Sequence, residues 1–154
     1  PFLPPSLRVA LQESEAAAGL GERPEPWVRL ALLDRDVAGL QALAAELESA
    51  GIDVKVAGHP EEIALLLKTP EGRSLDAAVC DVLAFRPDQN VAGLFRSWDR
   101  DRPGLAFFLS LARDSPPEVE RAQRVPASLT KGRLQRPLAR TDLLEMLEPL
   151  RRHT

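Results

Sequence analysis

From Val28 onward, short apolar runs alternate with stretches whose apolar residues recur at helical spacing, and this alternation restricts the possible folds more than any other property of the chain. Val28–Leu33 is almost unbroken in its apolarity, as expected of a strand buried on both faces. Val37, Leu40, Leu43, Ala44 and Leu47 follow at helical spacing, and Gly51 suits the left-handed turn that ends a helix. Ile52–Ala57 predicts a second strand. Pro60, Glu61 and Glu62 then suit a helix start, and Ile63, Leu66 and Leu67 give that helix its apolar stripe. Leu75–Cys80 predicts a third strand that ends at Asp81. Val91, Leu94, Phe95 and Trp98 fall at i, i+3, i+4 and i+7 of the next helix. Leu105–Leu111 predicts the fourth strand, and Ser115 with Glu118 forms a capping-box pattern around Pro116. A fifth strand falls between Ala127 and Gln135, and Leu143, Leu144, Leu147 and Leu150 mark the last helix. The pattern is (βα)5, an α/β fold with a doubly wound, parallel five-stranded sheet.

Residues 1–27 differ in style. Pro1, Pro4 and Pro5 lead to Ser6, a fair N-cap, and Leu7, Leu11 and Ala18 lie near helical spacing before Gly19, Gly21, Pro24 and Pro26 interrupt. A short helical extension and linker over 1–27 is expected ahead of a domain over 28–154. The chain does not start with Met, so it reads as a piece of something longer.

Composition removes several function classes. Hydrophobic residues at 44% and charged residues at 28% exclude wholesale disorder. No apolar stretch approaches the ~20 residues of a membrane-spanning helix, and the start does not resemble a signal peptide. Cys80 stands alone and the histidines are only His59 and His153, so disulfide frameworks and Cys- or His-based metal centres are excluded. Cys80 lies in an apolar run and is expected to be inert core, in a chain suited to the reducing cytoplasm. Residues 1–120 carry 12 basic and 20 acidic residues, whereas 121–154 carry 8 and 3. The basic end lacks interleaved aromatics, so neither direct nucleic-acid binding nor membrane binding is expected.

In open α/β sheets, ligands gather outside the carboxyl ends of the strands. Asp34, Arg35 and Asp36 follow the first strand, Asp81 the third, Ser110 lies near the end of the fourth, and Arg136-Pro137 precedes the last helix. Four motifs in that order, from about Val28 to Arg152, resemble the receiver domain of bacterial response regulators. They are Leu32-Leu33-Asp34-Arg35-Asp36, Leu75-Asp76-Ala77-Ala78-Val79-Cys80-Asp81, Phe108-Leu109-Ser110-Leu111-Ala112 and Arg136-Pro137-Leu138. The resemblance implies a flavodoxin-like fold and a histidine kinase that transfers a phosphoryl group to Asp81. It also implies that Ser110 contacts the phosphoryl oxygens, and that Mg²⁺ is held by Asp34, Asp81 and, if recruited, Asp36. Such chemistry demands that developing negative charge be neutralised, and Mg²⁺ demands hard oxygen ligands.

Four departures point instead to a pseudo-receiver. Arg35 stands where the resemblance implies a metal-binding carboxylate, and a guanidinium cannot be a ligand. The lysine's place falls to Arg136 by spacing from the last helix, or to Lys131 by distance from Ser110; the only other lysines are Lys55 and Lys68. The segment after Asp81, Val82-Leu83-Ala84-Phe85-Arg86-Pro87, is longer than the resemblance implies. Arg133 or Ser128 stands in the aromatic switch position, and the chain has no Tyr at all. The expectation is a non-enzymatic signalling domain that acts through protein–protein contact, with impaired or absent phosphorylation and then no cofactor. The contacting face, with possible homodimerisation, is expected within residues 115–152. An active receiver using Asp34 and Asp36 is the alternative. A small flavodoxin-like ligand or nucleotide binder is a further one, disfavoured because Asp34–Leu40 offers only Gly39 where a glycine-rich loop would stand. A Ser-His-Asp hydrolase is disfavoured as well, since neither histidine is placed for Ser110.

Overall fold

The computed structural model describes residues 28–150; the extension expected over 1–27 and the last four residues lie outside it. The chain runs β1 (Val28–Leu33), α1 (Val37–Glu48), β2 (Ile52–Ala57), α2 (Pro60–Leu66), α3 (Pro70–Arg73) and β3 (Ala77–Asp81). It continues through α4 (Val91–Asp101), β4 (Ala106–Leu111), α5 (Pro116–Gln123), β5 (Gly132–Gln135) and α6 (Arg140–Leu147). All four strand pairings are parallel, in the order β2-β1-β3-β4-β5. This is the doubly wound flavodoxin-like order, whose switch point lies between β1 and β3.

The central strands are apolar throughout because both faces are covered. On one face, Leu30, Leu32, Val79 and Phe108 pack with Leu40 and Leu47 of α1 and Leu143 and Leu147 of α6. On the other, Leu33, Ala78, Phe107 and Leu109 meet Ile63, Phe95, Trp98 and Ala122 of α2, α4 and α5. Phe95 stacks on Phe107 with centroids 4.5 Å apart, and Phe85, Phe95 and Trp98 complete an aromatic cluster. The helical face expected at Val91, Leu94, Phe95 and Trp98 is thus the one that packs, with Phe95 and Trp98 fully buried.

Two local expectations are corrected. The single turn α3 was not anticipated; Thr69 caps it by accepting from Gly72 N at 3.1 Å, and Thr-Pro is the signal that marks it. Ser115 and Glu118 do not form a capping box: the Ser115 side chain makes no capping bond. Glu118 turns instead toward the sheet, where stronger partners await it. Gly51 does take the left-handed conformation, φ 94°, but two residues beyond Ser49, the C-cap of α1.

Candidate functional site

The sheet register brings the strand-terminal residues together. Leu33 is level with Cys80, so Asp34 falls level with Asp81, and Asp81 pairs in register with Ser110. Side chains alternate along a strand, so Asp34, Asp81 and Ser110 share the α1/α6 face of the sheet. Leu134 is level with Ser110, which places Arg136 on the same face, one step further along. Asp34, Asp81 and Arg136 border an open cavity of about 710 Å³ at the switch point, lined also by Arg35, Ala112 and Pro137.

Within it, Arg136 bridges two buried carboxylates. Its Nη1 donates to Asp81 Oδ1 at 2.6 Å and its Nη2 to Glu118 Oε2 at 2.8 Å. Glu118 also accepts from the Ala112 backbone N–H through Oε1 at 2.9 Å. Asp81 and Glu118 are only 2% and 6% exposed, so each charge needs the partner it has found. Asp81 Oδ1 further accepts from Leu83 N at 3.3 Å, which ties down the turn Val82–Ala84. Phe85 closes that segment by entering the aromatic cluster, so the long stretch after Asp81 is anchored to the core.

The charges respond accordingly. Burial, reinforced by Asp34, raises the Asp81 carboxyl above the ordinary aspartate range, and Leu83 N and Arg136 only partly oppose this. Burial also pulls Glu118 upward, but Ala112 N and Arg136 outweigh it and hold the group below its usual value. Arg136 loses hydration yet is held above its ordinary value by Glu118 and Asp81. Burial, with the Asp81 charge adding to it, pushes the Cys80 thiol far up and leaves it inert.

An Asp whose folded-state pKa is raised is destabilising when ionised, above its unfolded value of about 3.9. Asp81→Asn keeps an acceptor for Arg136 and removes the charge. It is therefore expected to stabilise the domain at pH 7 by about 1 kcal/mol, a Tm rise of roughly 3–5 °C. Thermal unfolding against pH checks this, because the gain should vanish near pH 3, where Asp81 is protonated in both states.

Two alternatives left open by the sequence fall away here, and Asp36 starts the first helix. Arg35 does not intrude on Asp81: it is exposed at the cavity rim, and the guanidinium on Asp81 is that of Arg136. Lys131 is not the site's cation. It precedes β5 at the amino edge of the sheet, donating its backbone N–H to Phe107 O, three residues short of the level of Ser110. Asp36 is taken up as the N-cap of α1, accepting from Gly39 N at 3.1 Å, while Asp34 Oδ1 accepts from Asp36 N at 3.0 Å. Ser110 is buried beside Asp81, its Oγ without a hydrogen-bond partner among the described residues. Ser128 lies exposed in the turn Ala127–Leu129. Arg133, three residues before Arg136, donates to Ala122 O and Val125 O at 3.2 Å and secures the end of α5.

The donor set is a poor fit for Mg²⁺. One Asp81 oxygen is engaged by a guanidinium, Asp36 serves a helix terminus, and an adjacent fixed positive charge opposes a divalent ion. Among the described residues, no group of three or more His, Cys, Asp or Glu side chains is placed to hold a metal ion. Glu118 is the site residue that sequence reasoning missed. Its signal was an acid in the first turn of the helix that follows the Ser110 strand.

No family model matches the chain, and no curated protein matches it. Solved structures do. A CheY-like response regulator receiver domain protein from Methanospirillum hungatei JF-1 superposes with a TM-score of 0.60 at 22% identity, over 80% of this chain and 93% of that one. The non-phosphorylated HemR receiver domain from Leptospira biflexa gives 0.57 at 23% identity, over 82% and 99%. A proposed pilus assembly protein (cpaE) from Burkholderia thailandensis E264 gives 0.57 at 22% identity, over 80% and 97%. Strand order, switch-point cavity and these superpositions agree: residues 28–150 have the fold of response regulator receiver domains.

Proposed function

We propose that the chain is a receiver-like signalling domain that works through protein–protein contact without phosphorylation of Asp81. One observation carries this reading: the Arg136 guanidinium occupies Asp81 and is held there by Glu118. An acceptor aspartate must be ionised, open to in-line approach, and surrounded by groups that neutralise the incoming charge. Asp81 instead has one oxygen engaged, a raised pKa, and a carboxylate cradle that suits Mg²⁺ poorly. No Mg²⁺-dependent step is assigned, and none of the chemistry makes the domain an enzyme. The partner is another signalling protein in the cytoplasm, or a second copy of the chain, engaged through α5, β5 and α6, where basic residues are concentrated.

A second reading is favoured by the row Asp34, Asp81 and Ser110 and by the unpartnered Ser110 hydroxyl. It is a phosphorylatable receiver that uses Mg²⁺ and takes its phosphoryl group from a histidine kinase. Incubation with Mg²⁺ and an acyl-phosphate donor, followed by intact-mass measurement, separates the two. The unmodified mass is expected throughout; stoichiometric addition of one phosphoryl group, absent in Asp81→Asn, would overturn the first reading.

A further inference from the structure

A second cleft, of about 200 Å³, lies on the opposite face of the sheet from Asp81. Its floor is apolar: Val82, Phe85, Leu109 and Val125 are each less than 5% exposed as residues yet line the opening. Its walls are the turn after Asp81, the start of α4, and α5. The charged residues that line it are Arg86, Arg121 and Arg124, without a single acid. Arg121 makes no ion pair among the described residues. Arg86 pairs with Glu61 and Asp88, and Arg124 with Glu120, but these side chains are all more than half exposed, and such pairs exchange readily.

Size and charge together select the occupant. A volume of 200 Å³ is below the roughly 300–1,000 Å³ of small-molecule sites. It suits one anchoring side chain, the arrangement in which a buried aromatic or large aliphatic residue dominates binding. Three guanidinium groups around such an anchor attract carboxylates and make association salt-dependent. We infer that this cleft between α4 and α5 docks an acidic segment of a partner protein, which inserts one aromatic or large aliphatic side chain over Val82, Phe85 and Val125. The cleft shares α5 with the surface proposed above but involves neither β5 nor α6, and the inference stands whether or not Asp81 accepts a phosphoryl group. Its connection to the site is short. Val82 follows Asp81 directly, Arg121 lies on α5 one turn after Glu118, and Val125 follows the C-cap of that helix.

The test uses the full ¹⁵N-labelled chain and the peptide N-acetyl-Glu-Glu-Phe-Glu-Glu-amide, followed by amide shifts. Saturable shifts are expected at Val82, Phe85, Arg121 and Val125, with a Kd on the order of 1 mM for so short a probe. Binding should weaken at least tenfold when the peptide Phe becomes Ala, when its Glu residues become Lys, or in Arg121→Glu. Ala92→Leu, which leaves the charges intact and narrows the cleft, should weaken it similarly, and unperturbed spectra elsewhere show that both variants fold. The inference is overturned if these amides do not shift, or if the Lys peptide binds equally well. It is also overturned if free 3-phenylpropionate binds as tightly as the peptide, which would make the cleft a small-molecule site.

Discussion

Arg136→Ala is expected to destabilise the domain by about 3–5 kcal/mol at pH 7, lowering Tm by roughly 10–20 °C. The effect comes from two carboxylates, Asp81 and Glu118, left buried without their cation and with Asp34 nearby. Breaking a buried pair is costly even where the intact pair contributes little net stability, because the surviving charge keeps its desolvation penalty. The pH dependence identifies the mechanism. Without Arg136, the folded-state pKa values of both carboxylates rise above their unfolded values of about 3.9 and 4.3. Protonation relieves the destabilisation of a group whose folded pKa is raised, so the variant should recover stability as pH falls from 7 toward 4 more steeply than wild type, in which Asp81 is raised but Glu118 is lowered. Chemical denaturation across that range measures the difference, and a pH-independent loss would point to packing alone. Arg136→Lys should lose about 1–2 kcal/mol, since one ammonium lacks the planar fork that reaches both carboxylates.

Glu118→Ala is expected to lose about 2–4 kcal/mol, because Ala112 N and one arm of Arg136 both lose a charged acceptor. Glu118→Gln keeps an acceptor for Ala112 and should lose about half as much. The gap to wild type narrows in acid as for Arg136→Ala, but here because wild type loses stability and not because the variant gains it. Glu118 has a lowered folded pKa, so its contribution is fully present above about pH 4.3 and fades as pH falls through the folded value below that. The gap between wild type and Glu118→Gln should therefore narrow in acid. Asp81 and Glu118 share one guanidinium, so Asp81→Asn and Glu118→Gln should not be additive.

The central strands were legible because burial on both faces forces an unbroken apolar run, as in Val28–Leu33. The edge strand β5 was not sharply legible: it has four residues, of which only Leu134 is buried, so no run exists to see. Asp81, Ser110 and Arg136 stood out because they end elements at the switch point, and the register places them there. Lys131 stood as the alternative to Arg136 because counting residues from Ser110 ignores strand phase; in this parallel sheet it immediately precedes β5 instead of following it. Arg35 misled, since the chain turns after Asp34 and sends Arg35 to the rim as Asp36 caps α1. Glu118 was hidden behind a local pattern. Three residues after Ser115 it matches a capping box, but a guanidinium and a strand-end amide compete for the same carboxylate, and the charge-assisted bond prevails. Local spacing cannot reveal a partner 18 residues away across the sheet end.

Arg136, shared between Asp81 and Glu118, fills the cation place of this site. Carbon-13 NMR of the two side-chain carboxyls through a pH titration tests it most directly. Asp81 is expected to titrate above the ordinary aspartate value and Glu118 below the ordinary glutamate value, with Glu118 moving upward in Arg136→Ala. Both groups titrating at their ordinary values, unchanged when Arg136 is removed, would contradict the account.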